Sequence, residues 1–250
     1  MIQTDAESPD TLDQKGRAGL ILDFFHRTIV HHALWYAEVK HQMGEKKGLQ
    51  MLEKAAAKSY QIQIHHLSKV FGFEMVDNIP EPLLSMEVEQ QKELLHRVAK
   101  NWLVGDGVWF QTVEFSEGMN DAKRCNDSCW SQFSPVEAAS IKNFLGMEER
   151  PGLAGLKRAL AFRLYGSINE QSISDEQEKS FVFQMNKCRV QAARNRKGLD
   201  DYPCKSAGQV EYTYFARAID ERITTECIGC PPDRHPPEWH CAWKFSLNEE

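Results

Sequence analysis

The sequence has no uninterrupted run of the roughly 18 apolar residues that a membrane-spanning helix needs. Its first residues also lack the basic start and apolar stretch of a secretory signal. A soluble, cytoplasmic chain with no membrane partner is therefore expected. Basic charge is not in excess: 30 Lys and Arg stand against 36 Asp and Glu, for a net charge of -6. That balance excludes a general nucleic-acid or anionic-membrane binder. Internal repeats and low-complexity segments are absent. So are the serine-hydrolase elbow, the phosphate loop, the HExxH zinc-protease motif and the dinucleotide fingerprint. What remains is an ordinary globular composition, 42% hydrophobic and 26% charged, in 250 residues, enough for one domain or two.

What the chain does have is cysteine, concentrated near its end. Of seven cysteines, Cys188, Cys204, Cys227, Cys230 and Cys241 fall in the last stretch, and Cys227-Ile228-Gly229-Cys230 is a CxxC followed by two prolines. A CxxC turns the backbone so that two sulfurs converge, and Gly229 allows the turn. Cys204 upstream and Cys241 downstream can complete four thiolates, the donor set of a structural zinc. Two other readings stay open: a redox or disulfide pair, and unrelated buried thiols. In a reducing cytoplasm an odd number of cysteines fits thiols or metal ligands better than a disulfide framework.

Taken in order, residues 1–15 are polar and read as a flexible arm, 16–170 as a helical region, and 171–250 as an α/β cysteine-rich region packed with the helices as one unit. Apolar spacing predicts a helix through Leu20, Phe24, Leu34 and His41 that stops at Gly44, then a second from about Lys46 to Phe71. Ser85 is a candidate cap for a third, which runs past Trp102 toward Phe115 with a kink at Gly105 and Gly107. Ser134-Pro135-Val136-Glu137 has every feature of a helix start, and that helix should stop at Gly146. Another should span Gly152 to Tyr165. Phe181, Phe183 and Met185 alternate with polar residues, as in a half-buried strand. A short helix follows over Val190–Arg196, a longer one after Cys204, then strands over 222–226 and 242–247. The expected class is α+β: an N-terminal helical bundle packed on a small antiparallel sheet that carries a cysteine metal site.

Other constellations are weaker. Glu38/His41 and Glu93/His96 are both ExxH on expected helices, half of what a di-iron carboxylate bundle requires. Cys125 and Cys129 share a helix face and read as buried small hydrophobes. Asn120, Asp121 and Lys123 follow an aromatic stretch containing Trp109, so they suit a pocket wall or a surface equally. The basic run from Lys187 to Lys197, with Arg189, reads as a solvated helix face or as a clamp for a small anion.

Asn186-Lys187-Cys188, Pro203-Cys204-Lys205-Ser206 and His240-Cys241-Ala242-Trp243-Lys244-Phe245 resemble the C-terminal region of the L-2-amino-thiazoline-4-carboxylic acid hydrolase family. The whole chain also resembles a broader set of uncharacterised cytosolic proteins. In that hydrolase pattern an acid often stands where this chain has Ala207, and the Cys227/Cys230 pair and the Pro231–Pro237 insertion are additional. The order cysteine, helix, strand with CxxC, cysteine is similar to 4-vinyl reductase-type ligand-binding domains as well. That resemblance implies zinc on Cys204, Cys227, Cys230 and Cys241, with Cys188 left over as a reactive thiol.

Together these readings imply a zinc-containing hydrolase acting on a C–N or C–S bond of a small anionic substrate. Cys188 would be the nucleophile, Asp121 or His41 the base, and Arg189 or Lys123 the carboxylate anchor. Trp35, Trp109 and Asn120 would line the substrate pocket. The alternative is a non-catalytic, zinc-supported small-molecule-binding or sensor module; a third is the di-iron protein. The expected partner is a small molecule, and a homodimer is compatible with the sequence.

Overall fold

The computed structural model describes residues 5–198 and 201–248. The chain is α+β, and it divides into two compact units, Met1–Glu81 and Pro82–Glu250.

The first unit is a helical hairpin, α1 (Gln14–Met43) and α2 (Glu45–Phe71), followed by a two-stranded ribbon of β1 (Met75–Val76) and β2 (Ile79–Pro80). Gly44 alone joins the helices, at φ +82°, a region open to glycine and strained for other residues. Asp13 caps α1 by accepting from the Gly16 amide at 2.6 Å. Among the described residues of this unit no apolar side chain is fully buried; Leu22, Ile29, Tyr60, Val70 and Phe71 are each at least 70% exposed.

The second unit begins with a single turn, α3 (Glu81–Leu84, shared with the boundary). Two long helices follow, α4 (Val88–Glu117) and α5 (Met119–Phe144), hinged at Gly118 as α1 and α2 are at Gly44. α4 starts at Glu87 through a capping box with Gln90, two residues after the expected Ser85, and it runs unbroken through Gly105 and Gly107. Then come α6 (Gly152–Phe162), β3 (Glu170–Gln177), β4 (Ser180–Lys187), α7 (Arg189–Arg196), α8 (Lys205–Ile219), β5 (Ile223–Gly229) and β6 (Cys241–Leu247). The sheet is antiparallel in the order β3-β4-β6-β5.

One expected boundary is overturned. Ser134-Pro135 does not open a helix; it lies inside α5, with Pro135 fully buried. Glu137, expected to fold back as a cap, turns inward instead. It accepts from Arg163 Nε at 2.8 Å and from the Leu164 amide at 3.0 Å. A buried cation and core packing outweigh a capping preference worth about 1 kcal/mol. Cys125 and Cys129, expected to be buried, are exposed on α5.

The core lies between the sheet and α5, α6 and α8. Phe181, Phe183 and Met185 of β4 and Trp243 and Phe245 of β6 face Leu156, Leu160, Tyr212, Phe215 and Ile219. Each large side chain buried there stabilises the fold by roughly 2–3 kcal/mol through lost apolar hydration. The helix ends are tied by polar contacts. Lys142 Nζ donates to the carbonyls of Ile219 and Glu149, each at 2.8 Å, and Asp220 accepts from the Gly152 amide at 2.9 Å. The ends of α5, α6 and α8 therefore meet in one knot, which holds α8 over the sheet.

Candidate functional site

Four of the five C-terminal cysteines stand at the ends of elements. Cys188 precedes α7, Cys204 precedes α8, Cys230 follows β5 and Cys241 opens β6. Strand and helix ends are fixed by packing behind them, so these thiols are positioned by the core rather than by their own loops. All four line one cavity of about 540 Å³ within the second unit. Cys227 is not in its wall. It pairs with Trp243 across β5 and β6, on the helix-facing side of the sheet that Cys241 also occupies.

Cys204 and Cys230 are in contact, their sulfurs 3.5 Å apart, and Gln191 Nε2 donates to Cys204 Sγ at 3.4 Å. The hydrogen bond from Cys230 holds the Cys204 thiol below its ordinary range and pushes Cys230 above it. Two thiolates on one zinc lie about 3.8 Å apart, from Zn–S bonds of about 2.3 Å. The separation here fits a shared metal and is far too long for a disulfide. Cys204, Cys230 and Cys241 offer thiols of the type that zinc takes, and Cys227 and Cys188 are the other thiols near them. As the side chains stand the set is not closed: among the described residues, the group of ligand atoms that all lie within 4.8 Å of one another is Asp201, His235 and His240.

The cavity wall is mostly apolar, with Phe110, Trp130, Met185, Tyr212 and Trp243 contributing rings and a thioether. Cations gather on it as well: Lys100 from α4, and Arg189, Arg194, Arg196 and Lys197 from α7 and its end. Two buried donors on lining residues, Asn169 Nδ2 and Trp243 Nε1, have no protein partner. Such donors are expensive to leave unmade.

Deepest in polar terms is Glu211 of α8. It lines the cavity and pairs with Arg163 Nη1 at 2.7 Å; Arg163 is 2% exposed and pairs on its other side with Glu137. The guanidinium is boxed by the rings of Trp130, Tyr165, Tyr212 and Phe215, at 4.7–5.9 Å from their centroids. Burial pushes the Glu211 carboxyl up to about 7, against the opposing pull of Arg163. Asp106, another lining carboxyl, is also raised by burial. A carboxyl near neutrality in an apolar cavity is the physical signature of a group that can take and return a proton.

A family profile matches residues 82–247, most of the chain and nearly the whole of the second unit. The chain belongs to DUF6125, a family of unknown function. No curated protein and no solved structure matches it. The family boundary at residue 82 coincides with the start of the unit that holds the cavity. Neither the thiazoline-hydrolase nor the vinyl-reductase resemblance finds support in these comparisons.

Of the residues expected to act, the cavity gathers Cys188 and Arg189 with the thiols Cys204, Cys230 and Cys241. Burial pushes the Cys188 thiol up to about 12, so it is protonated at neutral pH and a poor nucleophile. Asp121 sits outside the cavity wall, paired with Arg124 at 2.8 Å. Lys123 does not face the cavity either: it donates to the Pro203 carbonyl at 2.5 Å and rests over the Tyr202 ring, where it secures the loop before α8. Asn120 is exposed, and Trp109 is 75% exposed on α4. Trp35 and His41 belong to the first unit, both exposed, His41 beside Glu38 at 3.8 Å. The other ExxH histidine, His96, meets the Ser167 carbonyl at 2.9 Å, while Glu93 pairs with Arg97 at the surface. Neither ExxH pair faces a helical interior, as a di-iron site requires.

Sequence reasoning missed Glu211, Glu137 and Arg163. Glu211 had one available signal: it occupies the apolar face of α8, one turn before Phe215 and one after Ala207. A charged residue on a core-facing stripe is costly unless it is paired, and so calls for an explanation.

Proposed function

We propose that residues 82–247 form a hydrolase for a small anionic substrate, cleaving a C–N or C–S bond in the cavity between α4, α7, α8 and the sheet. The observation that carries this reading is Glu211, a carboxyl raised to about 7 inside an apolar cavity that also gathers cations. Arg189 and its neighbours on α7 hold the substrate carboxylate. Glu211 in its ionised form takes a proton from water as the water oxygen bonds to the scissile carbon. It then returns that proton to the leaving nitrogen or sulfur, so the balance is one water added across the bond.

Zinc fits the thiols Cys204, Cys230 and Cys241, with Cys227 on the same sheet face as the fourth. A metal held by four thiolates is saturated and supplies rigidity to the cavity floor. Chemistry then falls to the protein's own acid and base.

The buried, protonated Cys188 supports a second reading, a zinc-supported ligand-binding module without turnover. Small carboxylates bearing amide, amidine or thioether groups, assayed for binding by thermal shift and for cleavage by mass spectrometry, separate the two. We expect binding, and cleavage with an acid limb near pH 7, because the base must be ionised. Glu211→Gln should retain binding and lose roughly 10²-fold or more in kcat. Binding without cleavage by the wild type would leave the module reading in place, and absence of any binding would remove both.

A further inference from the structure

The segment between β5 and β6, residues 230–240, is an excursion that touches the cavity only through its first residue, Cys230, yet it is not loose. Its start is fastened to α8 by the Lys205 amide, which donates to the Pro231 carbonyl at 2.9 Å, and by Lys205 Nζ on Asp233 at 2.7 Å. Its far end is fastened to β4, where the His240 amide donates to the Met185 carbonyl at 2.8 Å and Asn186 Nδ2 to the Glu238 carbonyl at 3.2 Å. Between these ties His235 stacks on Trp239 and lies 5.5 Å from the His240 ring, centroid to centroid.

Asp201 reaches the same place from the loop before α8. Its neighbour Tyr202 is pinned by Gln191, which accepts from the Tyr202 amide at 2.8 Å and donates to its carbonyl at 2.9 Å. The result is that ligand atoms of Asp201, His235 and His240 all lie within 4.8 Å of one another, with His235 Nε2 3.8 Å from Asp201 Oδ2.

We propose that Asp201, His235 and His240 form a binding site for a divalent transition-metal ion, zinc(II) by preference, separate from the thiol cluster. Two imidazoles and one carboxylate are a borderline donor set that suits such ions. With metal–ligand bonds of about 2.1 Å the ligand atoms sit about 3–3.5 Å apart, so small side-chain rotations close the set. His235 Nδ1 lies 3.0 Å from the Pro236 carbonyl. Donating there fixes the tautomer and leaves Nε2 as the ligating nitrogen, the usual outer support of a metal histidine. His240 Nδ1 is buried with no protein partner, a polar atom whose cost a metal or its water would relieve. Three protein ligands leave at least one position open to water or to a small ligand. The bound ion clasps the 230–240 excursion to the loop before α8. Both ends of that excursion, Cys230 and Cys241, and the residue that closes that loop, Cys204, are thiols of the cavity.

The assignment does not depend on the hydrolase reading or on zinc at the thiols. The test is titration of reduced, chelator-stripped protein with cobalt(II), read by equilibrium dialysis and by absorption. An N/O site gives weak visible bands without the intense near-ultraviolet thiolate-to-cobalt transition. We expect the wild-type chain to bind one cobalt with the N/O signature and to lose it to added zinc. His235→Ala should weaken that binding at least tenfold and leave any thiolate signal intact. Asp201→Asn, at a partly exposed position, should weaken it in the same direction and serves as the deciding variant if circular dichroism finds His235→Ala unfolded. Equal stoichiometry and affinity in wild type and folded variants, or only the thiolate signature in the wild type, would overturn the proposal. Cobalt that zinc fails to displace would overturn the choice of ion.

Discussion

Asp220 accepts four hydrogen bonds in the knot at the end of α8, from the Gly152 amide, the Arg222 amide, Arg222 Nε and Arg222 Nη2, at 2.8–3.2 Å. Those bonds, Arg222 foremost, hold its carboxyl near 2, below the ordinary 3.8. A folded-state value below the unfolded one means that the unfolded chain binds the proton more readily. The stabilisation is therefore complete above about pH 4 and lost as pH falls toward 2. Asp220→Asn should cost on the order of 2 kcal/mol at pH 7, measured by urea denaturation, with the difference from wild type shrinking as pH falls through 2. A pH-independent difference would place the cost in packing instead. The residue scale is also where sequence reading reached least far. Nothing local marks Arg163 as a buried cation between two carboxylates, because the rings that box it come from α5, α8 and the turn after α6.

Element ends and periods were legible to within a few residues. The stops at Gly44 and Gly146, the short helix after Cys188, the helix after Cys204 and three of the four sheet strands follow from apolar spacing and caps, which act over one or two turns. β3 carried no such signal: Glu170–Gln177 is an edge strand of mostly polar residues, defined by its pairing with β4. The Ser134-Pro135 misreading has the same origin, since a cap preference of about 1 kcal/mol yields to burial on all sides. One element-scale contact is sharp enough to test. α8 approaches β6 at Gly208, where a Cβ would stand 2.6 Å from Cζ2 of the fully buried Trp243. Gly208→Ala adds helix propensity of about 1 kcal/mol but forces the helix off the sheet, a cost of about 1–3 kcal/mol. The expected result is a net loss of stability, seen as a Tm lower by a few degrees. A higher Tm would mean that the ring has room to move.

At the scale of the whole molecule the chain is two units with unequal means of support. The second has a closed apolar core, and the first has exposed apolar side chains along both helices. Residues 82–250 produced alone should therefore unfold in one cooperative transition by calorimetry, while residues 1–81 alone should have helical circular dichroism and no sharp melt. A sharp melt of 1–81 as a monomer would contradict this. No helix among the described residues is long and apolar enough to cross a membrane, in keeping with the sequence.

The sequence by itself determined the α+β class, the helix periods and the concentration of thiols at element ends, because each depends on neighbours a few residues apart. Only the tertiary structure decided which groups meet. Cys204 against Cys230, Glu211 against Arg163, and Asp201 with His235 and His240 join residues 26 to 48 positions apart or brought in from separate elements. Their chemistry follows from burial and distance. Those two quantities exist only once the sheet and the helices have closed on each other.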